Sequence, residues 1–168
     1  MNARRAARPL AVRIEATNRS GMRAPRRAKL EKALAVAGGL AGAAYGTRPA
    51  GGATLGLAWV ADREMSALCR RFSGRSGSTD VLAFEDGSPG RPGPTRLGEV
   101  VCNLELARRA AKDLGHSREA EAVLYAAHGL SHLMGGEDRT RRGRGAMRLI
   151  EKAALAAAGL DVRGGEWD

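Results

Sequence analysis

The stretch from Ser117 to Asp138 constrains this chain more than any other. Ser117 is a good helix N-cap, and the run after it predicts one long helix reaching Met134 and stopping at Gly135-Gly136. Near the end of that helix stand His128 and His132. Residues four apart lie on one helix face, close enough for both imidazoles to reach one ion. Gly135 and Gly136 can take backbone angles closed to other residues, so the chain can double back there. That turn would bring in Asp138, six positions after His132. The expected donor set is two imidazoles, one carboxylate and an open position, which suits a catalytic zinc site. A helical histidine pair alone is often a surface accident. The glycine pair and the downstream carboxylate make this one more specific, as does the presence of only 3 histidines in the chain.

The rest of the chain reads as strands and helices interspersed. Alternation over residues 11–16 suggests a first strand, and apolar residues at helical spacing follow Pro25 from Arg26 to about Leu40. Residues 54–60 look like a buried strand. Asp62 should cap a helix to about Phe72, and residues 73–78 form a loop. A short strand over 79–84 leads into a Pro- and Gly-rich segment, Glu85 to Arg96, read as a mobile surface loop. A strand over 97–102, a helix from Asn103 or Leu104 to Leu114, and a last helix over about Gly145 to Ala158 complete the pattern. We expect an α+β (α/β-like) fold with one mixed sheet of about four strands and about five helices. The metal site would lie at the C-terminal end of a central helix. Residues 1–9 read as a loose basic arm, 10–160 as a single metallohydrolase domain and 161–168 as a loose tail.

Charge points to the partner. The 28 Lys and Arg residues outnumber the 18 Asp and Glu, for a net charge of +10. Such a chain attracts polyanions, nucleic acid above all, and arginine offers a planar fork for phosphate oxygens. A GC-rich coding bias accounts for part of the arginine content but less readily for the excess of bases over acids. Aromatic residues are only 4%, so the core must be built from small aliphatic side chains. Cys69 and Cys102 form no paired motif, which fits a reducing cytoplasm. No apolar run approaches the ~18 residues of a membrane span, and the basic N-terminus leads into no signal-like segment.

His128-Gly-Leu-Ser-His132-Leu-Met-Gly-Gly-Glu-Asp138 resembles the H-G-x-L-H-L-x-G-Y-D-H signature of the YbeY family, bacterial rRNA maturation factors and single-strand-specific metallo-endoribonucleases. Thr79-Asp80-Val81-Leu82-Ala83-Phe84 is similar to that family's T-D-V-L-S-F, and Leu97-Gly98-Glu99-Val100-Val101 to its L-G-D-I-V. Order and spacing agree from about Asp62 to Leu155. The resemblance implies a metal-dependent endoribonuclease acting on single-stranded RNA, with one zinc or related divalent ion per chain. It also implies a role at the small ribosomal subunit, in maturing the 3′ end of its rRNA and in ribosome quality control. Asp138 stands where the family has a third histidine, so its charge would partly offset the metal's. Gly136, Glu137 and Ser131 also depart from the signature, and Ser73 stands where the family has an arginine, with Arg71 and Arg75 nearby.

Phosphodiester hydrolysis builds negative charge on phosphoryl oxygens, so nearby cations help. Arg139, Arg141, Arg142, Arg144 and Arg148 follow the ligands closely, and Arg75 is a further candidate RNA contact. No general acid or base is identifiable: Glu99 and Glu137 are candidates that a structural or solvated role explains equally well. Asp80 reads as a turn or cap residue, and His116 as a surface or capping group. A peptidase of the H-E-x-x-H type needs Glu after the first histidine, and Gly129 stands there. The competing function is a ribosome-assembly factor that binds RNA and uses the metal only to brace the fold.

Overall fold

The computed structural model describes residues 8–87 and 93–161. Among these, the elements run β1 (Val12–Asn18), α1 (Arg27–Tyr45), β2 (Ala53–Val60), α2 (Asp62–Ser73), β3 (Val81–Glu85), β4 (Thr95–Asn103), α3 (Leu104–Leu114), α4 (Arg118–Leu133) and α5 (Arg141–Ala157). The strands form one sheet in the order β1-β2-β4-β3. β1 and β4 flank β2 in parallel, and β3 closes the edge antiparallel to β4, so the sheet is mixed as expected.

β2 is almost wholly apolar because both of its faces are covered. Leu55, Leu57 and Trp59 point into the main core, while Ala58 and Val60 point the other way, against Met65 and Cys69 of α2. β4 repeats the division, with Val100 and Cys102 on one side and Val101 on the other. α1 and α4 lie on the main-core face, α5 packs against both, and α3 packs against α4. Alanine supplies much of this core, although Trp59, at 2% exposure, shows that it is not made from small side chains alone.

α4 is the central helix. Eleven of its 16 residues are buried, including Val123, Leu124 and Leu130. Each such aliphatic side chain contributes about 1.5–3 kcal/mol on leaving water. Gly129 sets how close the helix comes to the sheet. A Cβ there would stand 2.5 Å from Val100 Cγ1 and 3.0 Å from Val81 Cγ2. The residue after His128 is therefore small for reasons of packing, and a glutamate would not fit.

Boundaries moved where caps and close approaches override periodicity. α1 continues past Leu40 to Tyr45, since Gly39 and Gly42 are retained as points of close approach to Arg8 and Arg48. α5 starts at Arg141, four residues earlier than expected, because Thr140 Oγ1 accepts from Gly143 N and so caps it. β4 begins at Thr95, inside the segment read as a loop. It carries a bulge, where Thr54 pairs with Arg96 but Leu55 pairs with Gly98. Thr79 and Asp80 precede β3 and do not belong to it. Asp62 is the first residue of α2 and not its cap; its carboxylate accepts from Asn103 Nδ2 at 2.6 Å and pairs with Arg109 at 2.6 Å. Residues 1–7 of the basic arm, 88–92 of the Pro/Gly-rich segment and 162–168 of the tail lie outside the described residues.

Candidate metal centre

His128 and His132 occupy the last turns of α4 with their Nε2 atoms 3.0 Å apart. Asp138 reaches them from the following loop, its Oδ2 standing 3.8 Å from His128 Nε2 and 3.6 Å from His132 Nε2. The doubling back happens as the glycines suggested. Gly135 adopts φ +97, and Gly136 N donates to Ser131 O at 2.8 Å. A Cβ at Gly136 would press to 2.8 Å from that same oxygen and to 3.2 Å from Tyr45 Cε2, so Tyr45 packs where a larger residue at 136 would have to go. The loop is tied down further along: Arg144 Nη1 donates to Asp138 O at 2.9 Å, and Thr47 Oγ1 donates to Met134 O at 2.6 Å.

The outer nitrogens decide what the inner ones can do. A carboxylate only accepts, so the 2.6 Å contact between His128 Nδ1 and Glu151 Oε1 places a proton on Nδ1. His132 Nδ1 likewise donates to Gly136 O at 3.0 Å. Both neutral rings therefore turn bare Nε2 lone pairs toward each other and toward a carboxylate oxygen, an arrangement that calls for a cation. The circle through the three donor atoms has a radius of about 2.0 Å, matching zinc–imidazole and zinc–carboxylate bonds of ~2.0–2.2 Å. The residues thus fit a metal ion. They are the one group of three such side chains in metal-binding proximity among the described residues. Burial disfavours charge on His128, but the hydrogen bond and charge of Glu151, with the charges of Asp80 and Asp138, outweigh it and hold this imidazole above its ordinary pKa.

Glu151 is the residue of the candidate site that sequence reading missed. It is 3% exposed on α5, in one stripe with Met147, Ile150, Ala154 and Leu155. A single carboxylate inside an apolar helical stripe was the available signal, since a buried acid needs a partner.

The cluster opens on a groove of about 530 Å³ whose walls include Asp80, Glu121, Tyr125, Arg144 and Arg148. Asp80 holds its turn, accepting from Val81 N at 2.8 Å and from Thr79 Oγ1 at 2.9 Å. The Tyr125 hydroxyl is pushed far up by burial, then by the charges of Glu121 and Asp80, so it stays protonated. Arg139, Arg141 and Arg142 are exposed but are not among the groove's lining residues, and Arg75 lies on the exposed loop after α2. Arg71 sits over the Phe72 ring at 5.2 Å, on the opposite side of the sheet. Glu99 faces that side too, paired with Arg96 at 3.2 Å. Glu137 Oε1 accepts from Thr140 N at 2.8 Å, a structural role at the start of α5. His116 corrects an expectation. Its side chain is 2% exposed and rests against the Glu121 carboxylate, since the left-handed Gly115 (φ +74) ending α3 turns the chain inward.

Fold and site together define an α+β protein with a candidate divalent-metal centre at the end of its central helix, open to a groove lined by both carboxylates and arginines. A family model described as Endoribonuclease YbeY matches residues 20–159. The chain belongs to that family. It is 39% identical to the endoribonuclease YbeY of Myxococcus xanthus over 65% of its own length and 38% of that protein's. It is 38% identical to a Thermus thermophilus protein of the same name, over 56% of this chain and 69% of that one. The solution structure of TM1509 from Thermotoga maritima shares the fold, with a TM-score of 0.54 over 86% of this chain and 89% of that chain, at 19% identity. No helix among the described residues is long and apolar enough to cross a membrane.

Proposed function

We propose that this chain is a metal-dependent endoribonuclease acting on single-stranded RNA, with one divalent ion, zinc foremost, held by His128, His132 and Asp138. The observation that carries this is the tautomer argument: with both Nδ1 atoms engaged by Glu151 and Gly136, the two Nε2 lone pairs converge on a carboxylate. A bound divalent metal supplies a Lewis acid for a phosphoryl oxygen and makes water a nucleophile near neutral pH. The chain's own groups do the rest. Glu151 orients His128. Arg144 holds the Asp138 loop and, with Arg148, lines the groove where phosphate charge would gather. Arg139, Arg141 and Arg142, exposed on the segment that follows the cluster, would add positive charge to attract the backbone of an incoming strand, and Arg75 would serve only a longer one. With its side chain 47% exposed, Asp138 leaves the cluster open on one side, as a reacting centre requires and a purely bracing one does not. Membership of the family supports placing the reaction in the cytoplasm on small-subunit rRNA, at its 3′ end and in ribosome quality control. The catalytic unit is residues 10–160.

Cleavage of a labelled single-stranded RNA by wild type, by chelator-treated protein before and after zinc is restored, and by His132→Ala tests this. Wild type and restored protein should cut, and the other two should not. Binding in all four with cleavage in none would replace the nuclease by an RNA-binding assembly factor whose metal only braces the fold.

A further inference from the structure

A basic concavity lies away from the metal cluster. Arg23 and Arg26 from the segment between β1 and α1, Arg108 of α3 and Arg118 of α4 converge on a cleft of about 330 Å³. Met22, Pro25, Leu104 and Ala122 give it an apolar floor. Glu119 is the one acid lining it, and Arg26 saturates that carboxylate: the Arg26 backbone N donates at 2.8 Å, Nε at 3.0 Å and Nη2 at 2.8 Å. The other three guanidiniums, all exposed, have no carboxylate partner among the described residues. Three unpaired cations from three separate segments around one hollow make a local positive potential that an anion would relieve. The Arg26 hydrogen bond, against some burial, holds the Glu119 carboxyl at about 2, so this acid stays ionised and paired with Arg26.

This cleft is not an extension of the metal groove. Glu119 and His128 are nine residues apart on α4, which is two and a half turns, so they lie on opposite sides of the helix, separated by about 14 Å along its axis. An apolar floor ringed by guanidiniums suits a nucleotide, with phosphate on the arginines and base or ribose on the floor.

We propose that the cleft is a second subsite for the RNA strand, in which Arg23, Arg108 and Arg118 hold backbone phosphates on the face of α4 opposite the metal cluster. The proposal rests on the RNA reading above and adds where the strand goes beyond the cutting site. Its test uses the full-length, metal-loaded protein and a fluorescent single-stranded RNA of about 16 nucleotides, the upper site size of single-strand binders. The triple variant R23A/R108A/R118A should bind this RNA at least tenfold more weakly. Its slope of log affinity against log salt should fall by about 2, the loss expected for three phosphate contacts. Metal content and circular dichroism should match wild type, and the triple lysine variant should keep most of the salt slope. Unchanged affinity and slope in the alanine variant, beside a wild type that binds and cuts, would remove the cleft and leave the nuclease standing. A wild type that does not bind RNA overturns both. If a nucleoside monophosphate binds wild type as tightly as the long RNA and is lost in the variant, the cleft serves free nucleotides and the strand placement is wrong.

Discussion

Replacing Glu151 with glutamine tests the tautomer argument at its source. The wild-type carboxylate can only accept, so it fixes the His128 proton on Nδ1 and leaves Nε2 bare. Glutamine is nearly isosteric and stays buried, but its amide can turn either way. If its NH2 faces the ring, the proton moves to Nε2 and the metal-binding lone pair is lost. If its oxygen faces the ring, a charge-assisted hydrogen bond becomes a neutral one. Either route should weaken zinc about 10- to 100-fold, or roughly 1.4–2.7 kcal/mol. Competition against a chromophoric chelator at pH 7 measures it. The metal-free protein supplies a second readout of opposite character. Its raised His128 pKa means that the His128–Glu151 pair stabilises the fold fully below the unfolded imidazole value of 6.5, and that this stability is lost as pH rises through the higher folded value. Metal-free Glu151→Gln should therefore be less stable than wild type in mildly acidic solution, with the gap closing as the pH is raised. Wild-type zinc affinity in the variant, with a stability difference that does not vary with pH, would refute the reasoning.

Gly129→Ala puts a methyl group 2.5 Å from Val100 Cγ1, so the helix must lift from the sheet; a loss of about 1–3 kcal/mol is expected, net of the gain in helix propensity, and thermal melts read it as a drop of several degrees. Because Glu119 is held at about 2, the Arg26–Glu119 pair contributes stability above the ordinary carboxylate value of 4.5 and loses it as pH falls through 2. Solvent screening keeps this contribution small, and Arg26→Ala should remove it, flattening the acid limb of a urea-melt series. His116→Ala removes one partner of the buried Glu121 carboxylate, leaving it Tyr125, and should cost about 1–3 kcal/mol, while zinc affinity measured by the chelator competition stays at the wild-type value.

The fold and the convergence of His128, His132 and Asp138 were legible because they rest on short-range rules. A cap at Ser117, a four-residue histidine spacing and a turn at Gly135 each act within a few positions, and each appears where the sequence put it. What escaped was tertiary. Glu151 lies 23 residues from His128, and only the packing of α5 on α4 brings them together. His116 read as polar and therefore outward, yet the backbone turn at Gly115 carries it under α4, where Glu121 receives it. The arginines nearest the ligands in sequence are not those lining the groove. On α5 Arg144 and Arg148, four apart, share the face that lines the groove, while Arg141 and Arg142 in the first turn are not among its lining residues. Gly129 ruled out an H-E-x-x-H peptidase from the sequence, and the structure supplies the cause: α4 lies too close to Val100 for any side chain there.

The most direct measurement is the metal content of protein purified without chelators, wild type beside His132→Ala, by elemental mass spectrometry. The account predicts about one divalent ion per wild-type chain and almost none in the variant. Equal content in the two, whether high or near zero, would contradict it.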